Sequence, residues 1–215
     1  GRDASFEAYH DLGRRLMTEG SISRAVNALE VAQAKEPNHF DVLLDLGKAY
    51  QGNNQSDRAE KAYTRAIQFY PKHPEPYRLL INLLLDEDRR VEALQVIELA
   101  MAECDEAMFS PMQAQLLPKM PTVTPLGGHF KEEIDIVLDV KDDGATILYS
   151  LTGADPIAEG TVYTPGQKLH LTEENGGMWK LRAVSEKNGM YSKEQVQTYT
   201  INKPLPDAPK SRLKS

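Results

Sequence analysis

The chain has one cysteine, Cys104, and one tryptophan, Trp179, in 215 residues. A lone thiol excludes an intramolecular disulfide framework and leaves the redox compartment open. Long apolar runs are missing as well. The longest, Leu79 to Leu85, has Asn82 inside it and falls far short of the ~20 residues that a membrane-spanning helix needs. The first stretch, GRDASFEAYH, carries neither an apolar segment nor a cleavage motif, so no signal peptide is expected within it. Positive charge is in deficit throughout. Residues 1–120 hold 14 basic against 19 acidic side chains and residues 121–215 hold 11 against 13, for a net charge of −7. Binding a phosphate backbone calls for the opposite sign, so no nucleic-acid partner is expected. The basic closing stretch KSRLKS follows prolines and reads as the end of a flexible tail, residues 204–215.

The familiar signatures of catalysis are also missing. The chain contains no nucleophile elbow, no P-loop and no HExxH. His10, His39, His73, His129 and His170 lie far apart, with no spacing suited to a shared metal. The acidic pairs Glu132–Glu133, Asp142–Asp143 and Glu173–Glu174 are adjacent in sequence. On a strand such neighbours point to opposite faces, so they read as solvated turns and not as an acid–base pair. No catalytic residue, metal site or cofactor is expected, and the chain reads as a non-enzyme.

What the chain does have is a rhythm. Gly47, Tyr50, Ala59, Tyr63, Ala66 and Pro71 are matched 34 residues earlier by Gly13, Leu16, Ala25, Leu29, Ala32 and Pro37. A further copy, less regular, follows at Ile81, Leu84, Ala93, Ile97, Ala100 and Asp105. The spacing predicts three helical hairpins, over 6–39, 40–73 and 74–107. Small residues at Gly13, Gly47, Ala25, Ala59 and Ala93 allow the two helices of a hairpin to approach closely, while Leu, Ile and Tyr at helical spacing supply the buried stripe. Gly20, Asn54 and Asp88 recur between the helices and are residue types that tolerate a left-handed backbone. Pro37 and Pro71 stop the second helix of their pairs. Ser110 before Pro111 predicts the start of a short capping helix over 111–117, and Pro118, Pro121 and Pro125 predict a linker passing into a strand.

This register resembles the tetratricopeptide repeat family, through Tyr9, Leu12, Gly13, Leu16, Ala25, Leu29, Ala32 and Pro37 in the first copy and Leu43, Leu46, Gly47, Tyr50, Ala59, Tyr63, Ala66 and Pro71 in the second. The resemblance implies an α-solenoid whose first helices line a concave surface. The lining would be Glu7, His10, Arg14, Met17, Asp41, Leu44, Lys48, Gln51, Glu75, Arg78, Asn82 and Leu85, a mixture suited to an extended or helical peptide. The clamp by which some relatives grip chaperone tails wants Lys and Asn where this chain has His10, Arg14 and Asp45, so that partner is not expected.

After about residue 120 the period changes to two. Ile134, Ile136, Leu138 and Val140 alternate with Asp135, Val137 and Asp139, and TILYSLTG, TVYT, QKLHLT, MWKLRAV and EQVQTYTI follow between turns that carry Gly and Asn. About seven short strands predict an immunoglobulin- or fibronectin-like sandwich over 119–203, after a helical domain over 1–118. Ile147, Tyr149, Ser150, Gly153, Asp155, Pro156, Tyr163, Leu181 and Ala183 resemble the C-terminal domain that follows chitobiase and β-hexosaminidase barrels. That resemblance implies an extracytoplasmic bacterial setting, at the envelope or tethered to a membrane. Trp179 shares phase with Leu181 and Ala183 and reads as core; Tyr163 and Tyr191 are the weaker aromatic candidates for glycan contact. The expected class is therefore a multidomain α plus β interaction scaffold that binds a protein or peptide. The alternative is a glycan- or cell-wall-binding accessory protein that takes carbohydrate on the sandwich.

Overall fold

The computed structural model describes residues 5–202, apart from the side chain of Asn175; the expected tail at 204–215 lies outside the described residues. The chain divides into two compact units, the first ending at Leu116 and the second starting at Leu117.

Among the described residues the first unit is seven helices: α1 Phe6–Thr18, α2 Ile22–Lys35, α3 Phe40–Gly52, α4 Ser56–Phe69, α5 Pro74–Asp86, α6 Arg90–Glu103 and α7 Glu106–Leu116. Each first helix opens with an acid in its first turn, Glu7, Asp41 or Glu75, where the helix dipole favours negative charge. Ser5 caps α1 by accepting from the Ala8 N–H at 3.3 Å, and prolines occupy the opening turn of α5, where a missing N–H costs nothing.

The three hairpin turns are chemically one turn. Gly20, Asn54 and Asp88 have φ of 76°, 57° and 58°. In each turn the following N–H reaches back to a carbonyl five residues earlier, Ser21 to Leu16, Gln55 to Tyr50 and Arg89 to Leu84, all at 2.8 Å. That bond satisfies carbonyls that a helix end otherwise leaves open, and it requires the left-handed residue.

Close approach follows from the glycines. A Cβ on Gly13 would sit 2.5 Å from Leu29 Cγ, and one on Gly47 would sit 2.3 Å from Tyr63 Cε1. The space thus opened is filled by a continuous core in which Leu29, Leu43, Leu46, Tyr63, Tyr77, Ile81, Leu84, Ile97 and Phe109 are fully buried. Each such side chain contributes ~1.5–3 kcal/mol relative to exposure, which is how hairpins that cannot stand alone become stable by stacking.

The cap differs from expectation. It starts at Glu106 and not at Pro111, so Ser110 and Pro111 lie inside the helix. The Asp105 carboxylate takes the Ala107 N–H at 3.0 Å and turns the chain two residues after α6, where the earlier copies spend four residues around a proline. Phe109 is then buried, in edge contact with Tyr77.

The second unit is a two-sheet sandwich. One sheet has the order β1 Thr122–Thr124, β3 Ile134–Asp139, β6 Leu169–Leu171. The other runs β2 Gly128–Phe130, β9 Gln195–Ile201, β7 Met178–Lys187, β4 Thr146–Ser150, β5 Thr161–Val162, with β8 Met190–Tyr191 paired to β7. All neighbours are antiparallel except β2 and β9, which run parallel with Gly128 opposite Tyr199. Ile136, Leu138, Leu169 and Leu171 from one sheet and Ile147, Leu181, Ala183 and Tyr199 from the other share one core. Asn188 and Gly189, at φ 54° and 77°, make the two-residue turn into β8. The proline-marked stretch expected as linker contains β1, whose Val123 is in the core. A four-residue helix, α8 Pro156–Glu159, follows Asp155, whose carboxylate accepts from the Ile157 N–H at 2.9 Å.

Candidate functional site

The first helices of successive repeats are laced together side by side, which makes α1, α3 and α5 one face. His10 Nε2 on α1 lies 2.8 Å from Asp45 Oδ2 on α3, and Arg14 Nε is 3.7 Å from the same oxygen. Lys48 Nζ on α3 donates to Glu75 Oε1 on α5 at 3.1 Å. Tyr63 OH, from the second helix behind, donates to Gln51 Oε1 at 3.2 Å.

These ties sort the twelve expected lining residues. Glu7, Arg14, Asp41, Glu75, Arg78 and Asn82 are exposed, and Met17, Lys48, Gln51 and Leu85 are partly so. Leu44 is 4% exposed and belongs to the core, and His10 is 8% exposed beneath Phe6 and beside Asp45. Those two therefore position their neighbours and present little surface. Arg78 and Asn82 have no hydrogen bond or ion pair among the described residues. The Glu7 carboxyl is held below the usual range, first by its own backbone N–H and then by the Ser5 hydroxyl. Asp45, absent from the expected lining, is the acceptor that orders this end of the face. Its signal was available: it is adjacent to Leu44 and one turn before Lys48 on the same helix.

The starts of the first helices also carry an aromatic–histidine contact. Phe6 stands 4.6 Å from His39 and Phe40 stands 4.6 Å from His73, centroid to centroid, so the pair occurs twice, 34 residues apart, and the third copy has Pro74 and Ala107 in those places. His39 Nδ1 is buried and has no hydrogen-bond partner among the described residues.

On the sandwich, Tyr163 is 4% exposed, accepts from the Leu138 N–H at 3.2 Å and donates to the Gln167 carbonyl. It is a core residue with its hydroxyl in use, a correction to its reading as a glycan contact: a ring so enclosed offers no stacking face. Tyr191 is exposed. Trp179 packs against the core and donates from Nε1 to the Thr172 carbonyl at 2.8 Å. His170 lies between Asp135 Oδ1 at 2.9 Å from Nδ1 and Glu133 Oε2 at 3.3 Å from Nε2. The Asp135 hydrogen bond is the main reason its pKa is raised, and Asp135 is lowered in return. The two carboxylates sit on opposite ring nitrogens and so do not converge on one point. Among the described residues no helix is long and apolar enough to cross a membrane.

Two sequence models of the tetratricopeptide repeat match the chain, over residues 16–63 and 44–107, so the helical repeats there are tetratricopeptide repeats. No curated protein matches. Among solved structures, MamA is similar at 24% identity over 52% of this chain and 61% of its own, with a TM-score of 0.44. The type III secretion chaperone SycD of Yersinia enterocolitica, solved with a peptide of the translocator YopD, is 18% identical over 54% of this chain and 91% of its own, at 0.45. The tetratricopeptide domain of Sgt2 from Aspergillus fumigatus is 17% identical over 52% of this chain and 76% of its own, at 0.44. The match thus spans about three fifths of the MamA chain.

Proposed function

We propose that this chain is a non-enzymatic interaction module that holds a peptide or protein segment on the face made by α1, α3 and α5. The observation that carries the reading is a set of exposed, unequal side chains on one helical face: Glu7, Arg14, Asp41, Arg78 and Asn82 point outward while the His10–Asp45 and Lys48–Glu75 pairs tie neighbouring helices together. Fixed spacing lowers the ordering cost of binding, and charges of both signs give register to an extended ligand. The tetratricopeptide repeats support the same reading.

Arg14 and Arg78 are the test positions, because Arg14 is 65% exposed in its side chain and Arg78 supports nothing else. The tagged chain should capture a defined protein from a lysate of the source cells, and Arg14→Glu with Arg78→Glu should reduce that capture at least tenfold. Undiminished capture refutes the assignment of this face. An envelope setting is part of the proposal, with support from the resemblance of the second unit to chitobiase C-terminal domains. Fractionation that leaves the native protein entirely in the cytosol would remove that part. A carbohydrate role for the sandwich loses Tyr163 to the core and is not retained.

A further inference from the structure

The opposite side of the helical unit carries a second pattern. On α4, Arg58, Lys61, Arg65 and Phe69 recur at three and four residues and form one stripe, all four exposed. Repeat packing does not demand them: the same positions hold Arg24, Asn27, Val31 and Lys35 in α2, and Glu92, Gln95, Leu99 and Glu103 in α6. Their ion pairing is uneven. Arg58 is matched by Glu30 and lies 4.1 Å over the Tyr50 ring. Arg65 Nε meets only an amide oxygen, Asn38 Oδ1 at 2.9 Å, and Lys61 meets no carboxylate among the described residues. Between α2 and α4 lies a cleft of about 310 Å³ whose lining includes all three cations and no acid. Phe69, 47% exposed, lies beyond it with the Arg65 guanidinium 5.8 Å from its ring centre. In a chain of net charge −7, Lys61 and Arg65 are cations with no carboxylate partner among the described residues, beside an uncovered aromatic ring; Asp57 and Glu60 share the groove that Phe69 lines, and Glu60 is matched by Arg89.

We propose that the outer face of α4 is a second docking surface, for an extended acidic segment of a partner protein. Its alternate carboxylates meet the cationic stripe and its next apolar side chain covers Phe69. The spacing fits. Along the helix the four side chains are separated by about 4.5, 6 and 6 Å at 1.5 Å per residue, and an extended chain presents same-side residues about every 6.6 Å. Electrostatic complementarity sets register and encounter rate, and the aromatic ring supplies the apolar anchor. This surface is independent of the α1–α3–α5 face.

The test uses the full chain and a fluorescein-labelled peptide, acetyl-ESESESL, followed by anisotropy, with acetyl-KSKSKSL as the charge control. The acidic peptide should bind saturably, weaken with added salt, and bind at least tenfold less well to Lys61→Glu/Arg65→Glu and at least threefold less well to Phe69→Ser. Arg14→Glu/Arg78→Glu should bind it as the wild type does. If the charge-reversed chain melts earlier, Lys61→Gln/Arg65→Gln replaces it and should still lose several-fold. Absence of saturable binding, equal binding by the Lys61/Arg65 variants, or loss on the Arg14/Arg78 variant would each overturn the proposal.

Discussion

Replacing Gly47 with alanine sets two effects of opposite sign against each other. Alanine is favoured over glycine inside a helix by ~1 kcal/mol, so propensity alone predicts a gain. The added Cβ, however, would lie 2.3, 2.7 and 2.9 Å from Cε1, Cδ1 and Cζ of Tyr63. Non-bonded carbons rest at about 3.5–4.0 Å, so the ring has to move by more than an ångström. It has nowhere to go, because Tyr63 is fully buried among other core residues and its hydroxyl is held by Gln51. Overpacking a closed core costs ~1–3 kcal/mol or more; here the upper end applies, leaving a net loss of about 2 kcal/mol after the propensity gain. Gly52 is the control: its Cβ would meet Ile22 Cγ2 at 3.4 Å, a contact that needs at most a small adjustment, so Gly52→Ala should be neutral or slightly stabilising. Urea unfolding followed by ellipticity at 222 nm reads both, with the midpoint lowered for Gly47→Ala at an unchanged m-value. A Gly47→Ala midpoint at or above that of the wild type would refute the close-approach argument.

Asp88→Gly should raise the melting temperature, with up to ~1 kcal/mol gained by removing a side chain from the left-handed region, since φ there is 58° and Gly20 already fills the same place in the first repeat. Asp88→Val should lower the melting temperature, at a cost of ~1–2 kcal/mol in stability, and the reverse order of the two variants would contradict the turn assignment. Burial, first among the causes, pushes the phenols of Tyr50, Tyr77 and Tyr199 up to about 12. The folded chain therefore holds these protons more tightly, so their contribution is full below the unfolded value of ~10 and is lost as pH rises through about 12. Absorbance at 295 nm should show the native chain ionising later than the chain in urea across that window, and coincident titration curves would count against it.

The helical unit was legible because the repeat compares the sequence with itself: a residue that recurs with the period belongs to the fold. Gly20, Asn54 and Asp88 share no side chain, yet their common place and their tolerance of positive φ identified the turn. The cap was misplaced because Ser110–Pro111 has the local chemistry of a helix start, while the real start depends on Asp105, which stood out only as a missing proline. β1 and β2 have three residues each, too few to show alternation, and β2 is paired by β9, far along the chain. On the candidate face, the repeat register identified which helix side faces outward. It did not show that Asp45 would draw His10 into the core, because that depends on a side chain from the neighbouring repeat. Tyr163 was misread for a similar reason: Leu138, whose N–H its hydroxyl accepts across the sandwich, is 25 residues away in sequence.

The parallel pairing of β2 with β9 has a mechanical consequence. β9 is the last strand of the sandwich and β2 follows β1 near its start, and the two point the same way, so tension applied between the start of β2 and the end of β9 drives them past each other lengthwise. Hydrogen bonds loaded in that direction resist together, whereas a hairpin pulled apart at its open end yields one bond at a time. Pulling at Gly127 and Asn202 would load this short three-residue contact as a clasp.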